Sequence, residues 1–194
     1  MDEIMQLIHM RLIPVMWLAW WAYWLACSGG AQRTTEREAS TSRRIHLMLV
    51  GVAFALIFVP ASCTGPLGWR WLPNVEPAFF FGIAILGAGF AFAVWARHHL
   101  GSNWSGTITV KEKHELIRSG PYSYARHPIY TGWILGMVGS AIALGELRGV
   151  LAVLLFLGAY VRKVRIEEKW LIGHFGEAYM DYRKNVKALI PFVL

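Results

Sequence analysis

Long apolar runs alternate with polar connections along the chain: Leu12 to Cys27, Ile45 to Ser62, Ala78 to Ala96, Pro128 to Leu144, and Val150 to Val161 with its flanks. A bilayer span needs about 20 residues, or about 17 at the short end. The fifth run has only 12 uninterrupted apolar residues. It reaches the required length by recruiting Gly149 at one end and the stems of Arg162 and Lys163, snorkelling to the headgroups, at the other. The last two runs are joined by Gly145-Glu146-Leu147-Arg148-Gly149, a turn rich in helix-breaking glycine. Pro128 to Gly145 and Gly149 to Ile166 are each 18 residues, so the arms of this helical hairpin match and their polar ends return together. Beyond Val161 the pattern predicts a helix running on into the cytoplasm. A second segment follows, with Ile172, Phe175, Tyr179, Tyr182 and Val186 at spacings of three and four, an amphipathic helix that Pro191 ends. Between the third and fourth runs, Thr107-Ile108-Thr109-Val110 alternates enough for a short strand.

Composition turns these runs into membrane spans. Hydrophobic residues make up 56% of the 194, ten of them Trp, and the mean hydropathy is +0.41, too apolar for a soluble domain of this size. The expected fold class is an all-α integral membrane protein with five transmembrane helices and a C-terminal amphipathic helix. A net charge of +7 suggests nucleic acid in a soluble protein; here the basic residues sit between apolar runs and act as topology signals and headgroup contacts. Pooling alternate connections for five spans puts 16 Lys and Arg on one side and three, Arg11, Arg70 and Arg148, on the other. Lys and Arg are retained in the cytoplasm, so the N-terminus is expected outside and the C-terminus inside. The first run is read as a span, because Asp2 and Glu3 precede it rather than a basic cluster and no small-x-small cleavage site follows. Cys27 and Cys63 then fall near opposite faces of the bilayer, about 30 Å apart, too far to pair.

Other features read as packing. Trp17, Trp20, Trp21 and Trp24 recur on one helical face, as a packing stripe or an interfacial belt does. The connection from Ser28 to Arg44 is polar and offers no chemistry, and that from Cys63 to Pro77 is rich in Pro and Gly and expected to be irregular. Gly87-Ala88-Gly89 lies inside an apolar run with no preceding strand and is not a phosphate loop. Gly82, Gly87 and Gly89 on the third span, and Gly132, Gly136 and Ser140 on the fourth, suit close helix approach. Adjacent His98 and His99 point to different faces and make a poor metal pair; no metal site is expected.

The chemistry is expected where the hairpin's polar ends meet. Pro128 suits the first turn of the fourth helix, placing Arg126, His127 and Tyr130 at its mouth, beside backbone N–H groups able to receive a carboxylate or polar ligand. On the fifth helix Lys163 and Glu167 share a face, and Glu168 lies about 100° around. Alone, such a pair reads as an interfacial salt bridge. Set opposite His127 and Tyr130, it reads as a site.

The stretch His114 to Tyr130, ending Arg-His-Pro-Ile-Tyr, followed by Glu167-Glu168, Phe175-Gly176, Tyr179, Tyr182 and Ile190-Pro191, resembles the isoprenylcysteine carboxyl methyltransferases over roughly the last 95 residues. Phospholipid methyltransferases and sterol reductases share parts of this region. The chain looks like a short prokaryotic member without the extra spans of eukaryotic ones. The resemblance divides it into three N-terminal helices, 1–97, and a catalytic region, 98–194. It implies a cytoplasmic cofactor-binding loop that takes S-adenosyl-L-methionine outside a Rossmann fold, releasing S-adenosyl-L-homocysteine, with a lipophilic prenylated substrate entering sideways from the bilayer. By position, His114, Glu115, Leu116, Ile117, Tyr122, His127, Pro128, Ile129, Tyr130 and Glu167 would contact the cofactor. Glu167 and Lys163 would be the catalytic residues, Lys163 also binding substrate. Lys163 stands where the family has arginine, keeping the charge without the planar fork that grips a carboxylate. The family's cofactor-binding glutamine has no counterpart before His114.

A carboxylate acceptor suits this set. A terminal carboxyl with a pKa near about 3.5 is ionised at pH 7 and needs no general base. Methyl transfer from a sulfonium cancels two charges, which a dry site favours. The protein must then supply alignment and a cation for the carboxylate. A lipid amine methyltransferase would instead need a base such as Glu167, Glu168 or His127 and a rate rising with pH. A non-catalytic transporter or scaffold is disfavoured because the first three spans hold no ionisable residue except His46 and Arg97 at their ends. A nicotinamide-dependent reductase lacks a nucleotide loop.

Overall fold

The computed structural model describes residues 3–27, 40–101 and 116–189. Six α-helices occur among them: α1 (Glu3–Cys27), α2 (Ser40–Phe58), α3 (Glu76–Leu100), α4 (Pro128–Leu144), α5 (Leu147–Phe175) and α6 (Glu177–Asn185). The described residues hold no strand beyond one antiparallel bridge between Arg70 and Glu146. The segment 107–110, expected to be extended, lies outside them, as does Pro191.

The helices outrun the apolar runs. α2 starts at Ser40, within the stretch expected as a loop, because Arg43 and Arg44 are compatible with helix and Arg162 on α5 hydrogen-bonds Ser42 through both the backbone and Oγ, at 3.2 and 2.7 Å. The hairpin turn is tighter than predicted. Only Gly145 and Glu146 separate α4 from α5, and Gly145 takes the left-handed conformation, φ 65°, that ends α4. At the far end, the expected helix through Ile172 and Val186 is broken. α5 stops at Phe175, Gly176 adopts φ 55° and ψ −129°, a region open essentially to glycine alone, and α6 sets off anew.

In the bundle α2 packs on α5, α5 on α4, and α4 most intimately on α3. That last contact depends on glycine. A methyl group on Gly132 would stand 2.4 Å from the Gly89 carbonyl oxygen, and one on Gly139 2.4 Å from the Leu86 nitrogen. Gly82 and Gly89 meet α4 backbone as closely, whereas Gly87 faces α1, with the Met16 methyl at 3.9 Å. α1 adds its tryptophan stripe: Trp17, Trp20 and Trp24 are buried, Trp20 stacks on Phe90 at 4.2 Å, and Trp17 Nε1 donates to Ser140 Oγ at 3.0 Å. Trp21 stays partly exposed. Packing, not an interfacial belt, accounts for the first three.

Opposite the hairpin's open end, Arg148 is buried. Its Nε donates to Glu146 Oε2 at 2.6 Å, and its Nη1 to the carbonyls of Leu56, Ile57 and Val59. A cation there satisfies the orphan carbonyls at the C-terminus of α2 and opposes its dipole. The helices' other faces expose large apolar side chains, among them Leu18, Leu25, Phe81 and Leu154, each more than 60% accessible. α2 and α3 are long and apolar enough to cross a bilayer; α4, at 17 residues, is apolar but shorter. Cys27 and Cys63 are free thiols.

The glycine seam predicts a contrast. Gly132→Ala and Gly139→Ala should each cost about 1–3 kcal/mol through backbone displacement and lower the melting temperature in detergent. Gly158→Ala, with nothing within 4 Å of the added methyl, should be neutral or slightly stabilising. Equal melting of all three variants would mean that the seam is loose.

Candidate active site

The site forms where the N-terminus of α4 meets the charged extension of α5. Pro128 occupies the first turn of α4, and His127 is its N-cap. Tyr130 follows within that turn, its phenol reaching α5. Tyr130 donates to Glu167 Oε2 at 2.8 Å. Lys163 Nζ lies over the Tyr130 ring, 5.1 Å from its centroid, and the His127 ring stacks on the same tyrosine at 5.5 Å, within 3° of parallel. Tyr160 adds a third ring, 5.0 Å from Tyr130.

The two adjacent glutamates have different surroundings. Glu168 is buried. It accepts from Arg126 through both Nε and Nη2, and Arg183 Nε lies 3.2 Å from its other oxygen. Burial by itself would raise the Glu168 carboxyl, but the neighbouring His127 and Arg126 outweigh it and lower it to about 2. Glu167 is about a quarter exposed, and its Oε1 takes no hydrogen bond among the described residues. His127 lies between them, Nδ1 3.8 Å from Glu167 and Nε2 3.5 Å from Glu168. The buried Nε2 makes no hydrogen bond at that distance.

The backbone N–H groups expected to await a ligand are partly engaged. Arg126 N donates to Lys187 O at 2.8 Å and His127 N to Ala188 O at 2.9 Å, while Thr131 Oγ1 donates to Leu189 O. Arg126 Nη1 donates to the carbonyls of Arg183 and Val186. The segment after α6 is thereby strapped across the mouth of α4. Tyr182 reinforces it, donating to the Tyr122 carbonyl; burial pushes its phenol up to about 12, against the pull of Arg126 and Arg118, so it remains a donor.

Of the residues anticipated from sequence, His127, Tyr130, Lys163 and Glu167 come together in one cluster. Tyr122 is buried on a 3-10 turn, Gly120–Ser123, and burial together with the nearby Glu167 charge raises its phenol far above the ordinary value. Leu116 and Ile117 are half-buried ahead of that turn and add no hydrogen bond to the cluster. Pro128 is buried in packing and Ile129 lies against the hydrophobic core. His114 and Glu115 lie outside the described residues. Sequence reasoning overlooked Arg126 as the partner of Glu168, although a lone arginine before His-Pro facing a Glu-Glu pair was the available signal. Among the described residues no group of His, Cys, Asp and Glu could hold a metal.

Comparison with known proteins bears on this geometry. The family model for isoprenylcysteine carboxyl methyltransferase (ICMT) matches residues 82–173, which include α4, most of α5 and the whole cluster. The protein-S-isoprenylcysteine O-methyltransferase of Schizosaccharomyces pombe is 32% identical over 155 residues, 75% of this chain and 66% of that protein. Its Mus musculus counterpart is 34% identical over 128 residues, 64% and 45% of the two chains, and that of Saccharomyces cerevisiae 32% identical over 101 residues, 50% and 42%. The chain thus spans less than half the length of the mouse and budding yeast relatives it matches. The solved structure of a eukaryotic intramembrane Ras methyltransferase, ICMT, superposes with a TM-score of 0.61 at 24% identity, covering 80% of this chain and 54% of that one. The molecule is therefore a membrane protein whose described residues are helical, with the fold of an intramembrane methyltransferase. Over residues 82–173 it is similar to the isoprenylcysteine carboxyl methyltransferase family.

The Arg126–Glu168 pair predicts an acid transition. Glu168 titrates near 2 in the folded protein against an ordinary 4.5, so its contribution is complete above pH 4.5 and is lost as pH falls toward 2. Thermal melts in detergent should decline over that window. Glu168→Gln should melt lower at pH 7 and lack this part of the acid dependence. A variant melting like the parent at pH 7 would show the pair to be energetically neutral.

Proposed function

We propose that the protein is a multi-pass membrane methyltransferase that uses S-adenosyl-L-methionine to convert the carboxylate of a prenylcysteine, or of a similar isoprenoid or lipid acid, to its methyl ester. The observation that carries this reading is the pairing of an engaged and an available glutamate: Glu168 is locked to Arg126, while Glu167, held by Tyr130, keeps Oε1 open, and Lys163 lies over the same Tyr130 ring.

The residues fit the cofactor. A carboxylate with one open oxygen suits the ammonium of an amino-acid-bearing ligand. Glu167, Tyr130 and His127 would hold it, with Pro128, Ile129, Leu116, Ile117 and Tyr122 completing the enclosure together with His114 and Glu115. When bound, it supplies an electrophilic methyl group on sulfur. Lys163 orients the acceptor carboxylate, which is already ionised and needs no base. Tyr130 fixes Glu167 by its hydrogen bond and passes its ring face to Lys163, so one side chain sets the spacing of both charged groups. Cancellation of charge between carboxylate and sulfonium is favoured wherever water is excluded from the pair.

The apolar outer faces support the five-span topology, with α1 to α5 crossing, the N-terminus outside and the site at the cytoplasmic face. In that arrangement residues 1–97 form the membrane anchor and 98–194 the catalytic region, and the acceptor enters from the bilayer beside lipids.

Transfer of labelled methyl from S-adenosyl-L-methionine to a farnesylcysteine analogue, giving a base-labile ester, tests the reading. Turnover should be flat from about pH 6 to 9, because a carboxylate acceptor is ionised throughout. A rate climbing with pH, with base-stable product, would favour an amine acceptor. Lys163→Met should lower kcat/KM by about tenfold or more, whereas Lys163→Arg should keep or raise it. Abolition by arginine would mean that lysine serves a different acceptor.

A further inference from the structure

The segment 116–125, which the proposed function assigns to the cofactor, is irregular chain apart from the turn Gly120–Ser123, so its position depends on what grips it. α6 grips one side, through the Tyr182 hydroxyl on the Tyr122 carbonyl and the Arg118 guanidinium 5.9 Å over the Tyr182 ring. α3 grips the other, with Trp95 6.4 Å from the Tyr124 ring and His99 on the residues before it. His99, in the last turn of α3, has Nε2 2.9 Å from Ser119 Oγ, and its ring lies 25° from parallel to that of Tyr122 at 6.4 Å. The same ring rests on Gly120. A methyl group there would stand 2.7 to 2.9 Å from three of its atoms, and φ 58° independently requires glycine. Two consecutive residues are thus shaped to receive one imidazole. His98, by contrast, turns to α1, with Nε2 3.5 Å from the Tyr23 hydroxyl.

We infer that His99 is a positioning residue for the cofactor: by holding Ser119 and covering Gly120, it fixes the segment from which Leu116, Ile117 and Tyr122 present themselves to the ligand. This rests on the cofactor reading above. Because a serine hydroxyl either donates or accepts, the contact survives a change in the protonation of the imidazole. His99 is exposed and acts through Ser119 and Gly120, so its influence should fall on cofactor affinity and not on the acceptor.

Three variants separate this role from general support of the fold: His99→Phe, which keeps a ring without the hydrogen bond, Ser119→Ala, and the two combined. Binding of S-adenosyl-L-homocysteine to the detergent-purified full chain is measured by calorimetry, and KM for both substrates by methyl transfer. Each single change should weaken binding about fivefold, and the double variant should be no weaker than either, since one contact is lost in all three. The KM for the farnesylcysteine analogue and kcat at saturating cofactor should stay within about twofold. His99→Gln, which returns a hydrogen-bonding side chain, should recover most of the affinity. Unchanged binding in His99→Phe, additive effects in the double variant, or parallel rises in both KM values with a lower Tm would overturn the inference while leaving the methyltransferase reading intact. A parent that binds no S-adenosyl-L-homocysteine would overturn both.

Discussion

The rotation of α5 about its own axis is set by one buried ion pair. Arg126 grips Glu168 by two nitrogens, and Arg183 closes on the opposite oxygen. A buried carboxylate cannot turn away from such partners without leaving charges unpaired in a low-dielectric interior. Once Glu168 is fixed, the helical step of about 100° directs Glu167 to the other side, toward Tyr130. The available glutamate is placed by the unavailable one. Arg126 also ties the strap after α6 to the same point, so the mouth of α4, the charged end of α5 and the chain's last described residues share one anchor.

That anchor needs an α4 that does not slide in the bundle. Glycines on α3 and α4 bring two backbones into contact, which leaves no side-chain layer to slip, and Arg148 with Glu146 pins the closed end to α2. A buried charge at each end of the hairpin is costly unless fully paired, and both are. Between them the interface is apolar and small-residue rich, as helix association inside a bilayer requires.

Much of this was legible in the chain. Matched hairpin arms followed from apolar run lengths, and the meeting of His127, Tyr130, Lys163 and Glu167 followed from the hairpin. Length alone missed the true extent of α2, because Ser42 is retained in helix by Arg162 from a distant element. Residues 172 to 186 kept helical spacing across a break, since Phe175 and Tyr179 fall four apart whether or not Gly176 interrupts them. Glu167 and Glu168 could not be told apart, because a doublet carries no record of which member is buried. Nor could the helix mouth be known to be occupied: the carbonyls that engage Arg126 and His127 lie some sixty residues later in sequence.

Calorimetric titration of S-adenosyl-L-homocysteine into the detergent-purified protein, beside Glu167→Gln, tests the assignment of the open glutamate most directly. Saturable binding by the parent, weakened about tenfold or more in the variant at unchanged Tm, is the expected result. Equal affinity in the two proteins, or no binding by the folded parent, would contradict it.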